Sequence, residues 1–236
     1  MQQIAVRALV LKTADYGEYD KMLTLLCDGL GKISVSAKGA KSYKDGRGAA
    51  TQCFCYGEYV LSEKNGRYMY VSSNPQEAFL GLADDIDKLS GASEIIKFTD
   101  KICPPGEPCN EMLRLTLNSL YALANLNKNI DTVKTVFYLK AVIMLGIEPE
   151  LDMCSACGNE ENLTAFSDEY GGVLCAQCAP MADNTKRMNP DSLELMKYVS
   201  RCDMKKMFAF TAPKEAIDNT YNILKSFIKN HLDLNI

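Results

Sequence analysis

The chain has 236 residues, 47% of them hydrophobic and 24% charged, and its net charge is −4. This length allows one large or two ordinary domains, and the composition is typical of a soluble globular protein. No apolar run approaches the ~20 residues of a membrane span, and residues 1–12 lack the basic start and the cleavage site of a secretory signal, so we expect a cytoplasmic protein.

The first 73 residues contain five segments with the composition or the alternation of β-strands. The alternation is clearest in residues 32–38, where Ile33, Val35 and Ala37 share one face and Lys or Ser lies between them. Asn65-Gly66 is a hairpin signal between the last two segments. The predicted strands are residues 4–11, 22–27, 32–38, 53–61 and 67–71. No convincing helix separates them, which favours a small OB-like β-barrel, although the pattern alone leaves an SH3-like barrel open.

After residue 73 the apolar residues recur at helical spacing. Asn74-Pro75 has the pattern of an N-cap followed by proline at the first helical position, and Asn189-Pro190 repeats it. Helices are predicted at residues 75–87, 91–102, 110–126, from a cap at Asp131 to about Gly146, from 190 to about 201, and after Thr211 and Pro213. The predicted fold class is therefore α+β with two domains: a five-stranded OB-like β-barrel at 1–73 and an all-helical domain at 74–236.

Two Cys-x-x-Cys pairs interrupt the predicted helical domain at about residues 150–180. Seventeen residues separate the pairs, which is a spacing typical of structural zinc sites. The predicted zinc ligands are Cys154, Cys157, Cys175 and Cys178. Four thiolates leave no open coordination position, so we expect one structural Zn²⁺ rather than a catalytic metal.

A basic loop follows the third predicted strand. Residues 1–73 hold 10 Lys and Arg against 7 Asp and Glu, whereas residues 74–236 hold 16 against 23. The acidic total argues against a surface that is basic everywhere, but this loop and its strand are suited to contact phosphates. The candidate nucleic-acid-binding residues are Lys32, Lys38, Lys41, Tyr43, Lys44 and Arg47. The alternative is an ordinary solvated hairpin loop.

Two aromatic pairs, Tyr68 with Tyr70 and Phe54 with Tyr56, lie on shared strand faces. They are stacking platforms if they are exposed, and they are barrel core if they are buried, which is the commoner arrangement.

Cys103 and Cys109 flank a proline-rich break between two predicted helices. They fit helix-end thiols better than a redox pair or a second metal site, because no His or acidic ligand pattern accompanies them. The only histidine, His231, lies in a polar terminal segment, so catalysis that depends on a Ser-His or Cys-His pair is not expected.

Five strings near the start resemble the N-terminal domain of the RecO family of bacterial recombination mediators. They are Ala8-Leu-Val-Leu11, Tyr16-Gly-Glu-Tyr-Asp20, Leu23 through Leu26, Gly31-Lys32, and Ala37-Lys-Gly-Ala-Lys41. The subsequent order of helices with an inserted four-cysteine module is similar to that family along the whole chain. By matching position, Lys38 and Lys41 fall in the basic element of the family, and Tyr16, Glu18 and Asp20 fall in its turn.

The resemblance implies a non-enzymatic DNA repair protein. It implies binding of single- and double-stranded DNA, annealing of complementary strands, and loading of RecA onto DNA coated by single-strand-binding protein, together with RecR. A nucleoid-associated cytoplasmic location is then expected. An OB-fold RNA-binding module with a structural zinc site is the alternative that the barrel and the basic loop leave open.

Overall fold

The computed structural model describes residues 2–41, 47–126 and 128–236. The chain forms two compact units, Met1–Asn125 and Leu126–Ile236. In the part of the chain that the structure describes, the first unit contains five strands, one short helix and two long helices, and the second contains three further helices and a small sheet. The domain boundary predicted at residue 73 stays a prediction. The two compact units divide at a different place, after Asn125, and the first two long helices belong to the unit that contains the barrel strands.

The first unit is built on a closed five-stranded barrel. Its strands are β1 (Gln2–Tyr16), β2 (Asp20–Cys27), β3 (Gly31–Ala37), β4 (Tyr56–Lys64) and β5 (Arg67–Glu77), and a short helix α1 (Arg47–Ala50) lies between β3 and β4. The strands pair in the order β1-β2-β3-β5-β4, and β4 also pairs with β1, which closes the barrel. This confirms the five-stranded OB-like barrel, whereas α1 was not expected from the sequence.

The barrel interior is filled by the alternate residues that the pattern of β3 predicts. Ile33, Val35 and Ala37 are buried, and they meet Leu23 and Leu25 of β2 in one apolar cluster. Each fully buried aliphatic side chain of this kind stabilises the fold by about 1.5–3 kcal/mol relative to its exposed state. The outward residues of β2 and β3 are therefore held in fixed positions on the barrel surface.

The prediction of a helix at residues 75–87 is wrong. Strand β5 continues through Asn74 and Pro75, which pair with Glu58 and Gly57 of β4. Gly57 permits this approach, since a Cβ atom there would lie 2.5 Å from the Asn74 carbonyl oxygen. A turn of 3₁₀ helix follows at Leu80–Leu82.

Two long helices complete the first unit. Helix α2 (Ile86–Ile102) begins at the N-cap Asp85, and α3 (Asn110–Asn125) begins where the sequence predicts. Residues 103–109 connect them and lie against the start of β3: Pro105 forms a parallel bridge with Lys32, and the Gly106 N–H donates to the Lys32 carbonyl oxygen at 2.9 Å.

The second unit combines three helices with a three-stranded sheet. Its elements are α4 (Ile130–Met144), β6 (Leu163–Ser167), β7 (Gly172–Cys175), β8 (Lys186–Arg187), α5 (Pro190–Arg201) and α6 (Lys214–Leu232). Asn189 caps α5 as predicted, but the cap of α4 is Asn129 rather than Asp131. Phe166 of β6 packs edge-on against Phe227 of α6, with ring centroids 5.7 Å apart, which anchors the sheet to the helices.

Within the described ranges, no helix combines the length and the apolar character that crossing a membrane requires.

Candidate metal centre and nucleic-acid interface

The four cysteines of the two Cys-x-x-Cys pairs lie together in the second unit. The Sγ atoms of Cys154, Cys157, Cys175 and Cys178 are all within 4.8 Å of one another. The Cys157 and Cys175 sulfurs are 3.8 Å apart. A tetrahedron of sulfurs bound to Zn²⁺ at ~2.3 Å has an edge of about 3.8 Å, so the cluster has the size of a tetrahedral thiolate site.

Backbone hydrogen bonds shape the turns that carry these sulfurs. The Gly158 N–H donates to the Cys154 carbonyl oxygen at 2.8 Å, and Gly158 has a φ of 76°, which glycine adopts without strain. The Ser155 N–H donates to the Val173 carbonyl oxygen at 2.9 Å, which joins the first turn to β7. Cys175 is the last residue of β7, so the small sheet holds both turns in place.

The thiols of the cluster influence one another electrostatically. Burial raises the pKa of Cys154, but backbone N–H groups, with that of Cys175 foremost, outweigh the burial and lower it to about 6. The pKa of Cys178 is raised to about 12, first by its hydrogen bond to Cys157 and then by burial. Four adjacent thiolates repel one another unless a cation lies between them, so this donor set fits a soft dication.

A second candidate surface joins the β1–β2 turn to the segment that follows β3. We call residues 16–20 together with residues 38–41 the turn surface. The Gly39 N–H donates to Asp20 at 2.8 Å, and the Lys41 N–H donates to the Tyr19 carbonyl oxygen at 3.1 Å. Lys41 also donates through Nζ to the Gly17 carbonyl oxygen at 2.9 Å and forms an ion pair with Asp15 at 3.2 Å.

The predicted DNA-binding cations differ in their surroundings. Lys38 is exposed on the turn surface, and Lys41 is half-buried there. Lys32 is only 16% exposed and forms an ion pair with Asp100 of α2 at 3.0 Å. Its Nζ also donates to the Asp100 carbonyl oxygen. Arg47 is the first residue of α1, whereas Tyr43 and Lys44 lie outside the described residues.

The tyrosines of β5 belong to the barrel, which is the commoner of the two arrangements considered. Tyr68 and Tyr70 pack against the interior cluster, and the ring of Tyr70 meets the buried Tyr59 edge-on with centroids 6.4 Å apart. Phe54 and Tyr56 do not share a strand, because β4 begins at Tyr56 and Phe54 has a φ of 70° in the preceding turn.

Sequence reasoning missed two aromatic side chains on the turn surface. Tyr16 and Tyr19 are each 61% exposed. The strings that carried the family resemblance already included this turn, but alternation along β1 does not indicate which rings lie beyond the barrel core. Tyr16 pairs with Asp20 at the end of the β1–β2 ladder, and Tyr19 lies in the turn that this pair closes.

Cys103 and Cys109 lie at the ends of α2 and α3, as helix-end thiols would. Cys103 is buried, and burial together with the neighbouring Cys109 raises its pKa to about 12, which disfavours a reactive thiolate.

Two family models match the chain in succession. Residues 1–75 match the model described as "Recombination protein O N terminal", and residues 83–236 match "Recombination protein O C terminal". The first match covers the barrel except the last two residues of β5, and the second covers α2–α6 together with the cysteine cluster.

Curated relatives agree with these matches. The chain is 28% identical over 231 residues to the DNA repair protein RecO of Alkaliphilus metalliredigens, which covers 98% of this chain and 94% of the relative. It is 31% identical over 205 residues to the DNA repair protein RecO of Desulfitobacterium hafniense, which covers 85% of this chain and 74% of the relative.

Proposed function

Because the chain belongs to the RecO family of DNA repair proteins, we propose that it is a non-enzymatic recombination mediator. It binds single- and double-stranded DNA, anneals complementary strands, and helps to load RecA onto DNA coated by single-strand-binding protein, together with RecR. Its place of action is the cytoplasm, at the nucleoid. The observation that carries the proposal is the closed OB-like barrel, which displays cations on its turn surface.

Charge neutralisation accounts for the proposed activity without bond chemistry. Two complementary strands repel each other through their phosphates, and cations that neutralise part of this charge speed their encounter. Affinity then depends strongly on salt, because each neutralised phosphate releases counterions.

The proposed phosphate contacts are Lys38, Lys41, Lys44 and Arg47. We leave Lys32 out of this set, because its side chain is 16% exposed and its partner Asp100 is 35% exposed. A phosphate would have to displace that carboxylate, at the cost of a partly buried ion pair. Lys41 is 26% exposed, whereas its partner Asp15, at 71%, is open to solvent and can give way to a phosphate.

The four-cysteine cluster is proposed to hold one structural Zn²⁺. When bound, the metal cross-links two turns of the chain and supplies no reactive position, because all four ligands are protein thiolates. The residues that would hold it are Cys154, Cys157, Cys175 and Cys178.

The experiment for DNA binding replaces the four proposed contacts together by Ala. The dependence of log K on log salt for a single-stranded oligonucleotide is expected to become shallower by about 2.8, since each phosphate contact contributes about 0.7 on a single strand. A matched control removes the same charge from exposed positions of the second unit: Lys205, Lys206, Lys214 and Lys225. Equal losses in the two variants would contradict the assignment of the contacts.

Two further assays define the activity. Competition between single-stranded DNA and RNA of one sequence separates a mediator from an RNA-binding module, because an RNA reader uses the 2′-hydroxyl groups and prefers RNA. Annealing of strands precoated with single-strand-binding protein, with and without RecR, tests mediation itself. A protein that binds bare strands but leaves coated strands unannealed in both conditions would refute the mediator role.

A further inference from the structure

The β1–β2 turn displays two aromatic rings beside lysines. Tyr16 ends β1 and Tyr19 lies just before β2, and each side chain is 61% exposed. Gly17, with a φ of 68°, forms the turn between them. Aromatic side chains gain by burial, so two rings exposed on one five-residue turn suggest a surface that is covered by a partner.

The turn is held rigidly by the segment after β3. Asp20 accepts from the Gly39 N–H at 2.8 Å, and the Tyr19 carbonyl oxygen accepts from the Lys41 N–H at 3.1 Å. The Lys41 ammonium group donates to the Gly17 carbonyl oxygen at 2.9 Å, which fixes the other side of the turn. A backbone fixed in advance lowers the entropy lost when a ligand covers the turn, because only the side-chain torsions of the two tyrosines remain to be ordered.

The rings and the lysines together identify the kind of partner. Lys38 is exposed, Lys41 is half-buried and pairs with the exposed Asp15, and Glu18 and Asp20 are the acids of the turn surface. Flat rings beside ammonium groups match a single strand, which presents a base and a phosphate at each nucleotide. A duplex hides its base faces, so it offers nothing to these rings.

We infer that Tyr16 and Tyr19 are stacking residues for the nucleobases of single-stranded nucleic acid, and that Lys38 and Lys41 contact the adjoining phosphates. The inference rests on the proposed function. It adds a contribution from the bases to a binding affinity that otherwise comes from charge. The rings favour single strands over duplex, and they give affinity that persists when salt screens the lysines. Glu18 opposes the phosphates and limits the affinity.

The test compares two oligonucleotides of equal length and charge, one with normal bases and one with abasic sites throughout. At a salt concentration that screens phosphate contacts, the unmodified protein is expected to bind the normal strand about 5- to 150-fold more tightly for each stacked base. The double variant Tyr16→Ala/Tyr19→Ala is expected to lose this preference and to keep the salt slope. Tyr16→Phe/Tyr19→Phe keeps the preference, because phenylalanine retains a ring that can stack.

The controls are exposed tyrosines elsewhere, Tyr121→Ala on α3 and Tyr170→Ala in the β6–β7 turn, which are 50% and 45% exposed. Both are expected to leave the preference intact, and thermal unfolding checks that every variant folds. An unchanged preference in the Ala double variant overturns the stacking role while the proposed DNA binding stands. Failure of the unmodified protein to bind either strand at low salt overturns both.

Discussion

At the scale of single residues, three lysines of similar sequence context have different roles. Lys32 lies against Asp100, Lys41 ties the β1–β2 turn to the segment after β3, and Lys38 is exposed. Strand alternation correctly predicts that Lys32 and Lys38 lie outside the barrel core, and Lys41 lies in the segment beyond the strand. Alternation cannot predict that α2 covers one of them, because the covering carboxylate is far away in the sequence.

We predict opposite effects for two of these lysines. Lys32→Ala is expected to lower the free energy of unfolding by about 1–3 kcal/mol, because it leaves Asp100 without its partner, and to leave single-strand affinity within about twofold. Lys38→Ala is expected to change stability by less than about 0.5 kcal/mol and to make the salt slope shallower by about 0.7. Urea unfolding and fluorescence anisotropy measure the two quantities, and the reverse pattern would contradict the assignment.

The cysteine cluster was the most predictable part of the candidate sites. Each pair of ligands lies within one turn, so the spacing alone brings two sulfurs together, and the four sulfurs do converge. The exposed rings of Tyr16 and Tyr19 could not be recognised in this way, because exposure depends on strand register and on neighbours that a local pattern does not contain.

At the scale of elements, the five strands could be predicted because each carries its own alternation or apolar run. The end of β5 could not. Asn74-Pro75 has a strong local preference for a helix start, yet it pairs with β4, because Gly57 leaves room for its backbone. Tertiary pairing outweighed local propensity at this point.

The connection between α2 and α3 is a second element that local pattern does not reveal. Residues 103–109 contain the prolines that end a helix, but their contact is with the start of β3. The Gly29 N–H donates to Asn110 at 2.9 Å, so the β2–β3 turn is tied to α3 as well. This connection fixes the helical pair against the barrel.

We predict that two glycines of the β2–β3 turn differ sharply in their tolerance of alanine. Both have positive φ, 78° at Gly29 and 69° at Gly31. A Cβ at Gly31 would lie 1.9 Å from the Glu107 carbonyl oxygen, whereas at Gly29 nothing lies within 4 Å. Gly29→Ala is expected to cost about 1–2 kcal/mol through backbone strain alone, and Gly31→Ala at least about 2 kcal/mol more, since it also displaces the connection.

Chemical denaturation of the two variants measures this difference. Equal losses of stability would show that residues 103–109 do not pack against the turn as described.

At the scale of the whole molecule, charge is distributed unevenly around the barrel. Residues 1–73 carry a net charge of +3, whereas residues 74–125, which include α2 and α3, hold 4 Lys and Arg against 8 Asp and Glu. Acidic helices repel phosphates, so a bound strand is expected to stay on the turn surface rather than spread over the first unit.

We predict that loss of the metal affects one unit. Cys175→Ser is expected to reduce bound zinc from about one per chain to near zero and to lower the thermal stability of the second unit, because binding free energy at such a site is folding free energy. Amide hydrogen exchange is expected to accelerate in residues 150–188 and to stay unchanged in β1–β3. Elemental analysis and exchange mass spectrometry give the two measurements.

The matched control is Cys202→Ser, a half-buried thiol of the same unit outside the cluster. It is expected to retain the metal and the exchange pattern. Unmodified protein that binds no zinc, or a Cys175→Ser variant that keeps it, would refute the metal site.

The bridge between Lys32 and Pro105 also has a consequence for synthesis on the ribosome. All five strands are complete at Glu77, but β3 pairs with β5 only through Val35 and Ser36. The first half of β3 gains its second pairing partner only when Pro105 and Gly106 have been synthesised, because these residues bridge to Lys32. At about 5–20 residues per second, the nascent barrel has an unpaired edge for roughly 1–6 s. An exposed edge can recruit other chains, so a fragment ending just after Glu77 is expected to self-associate where the full chain does not.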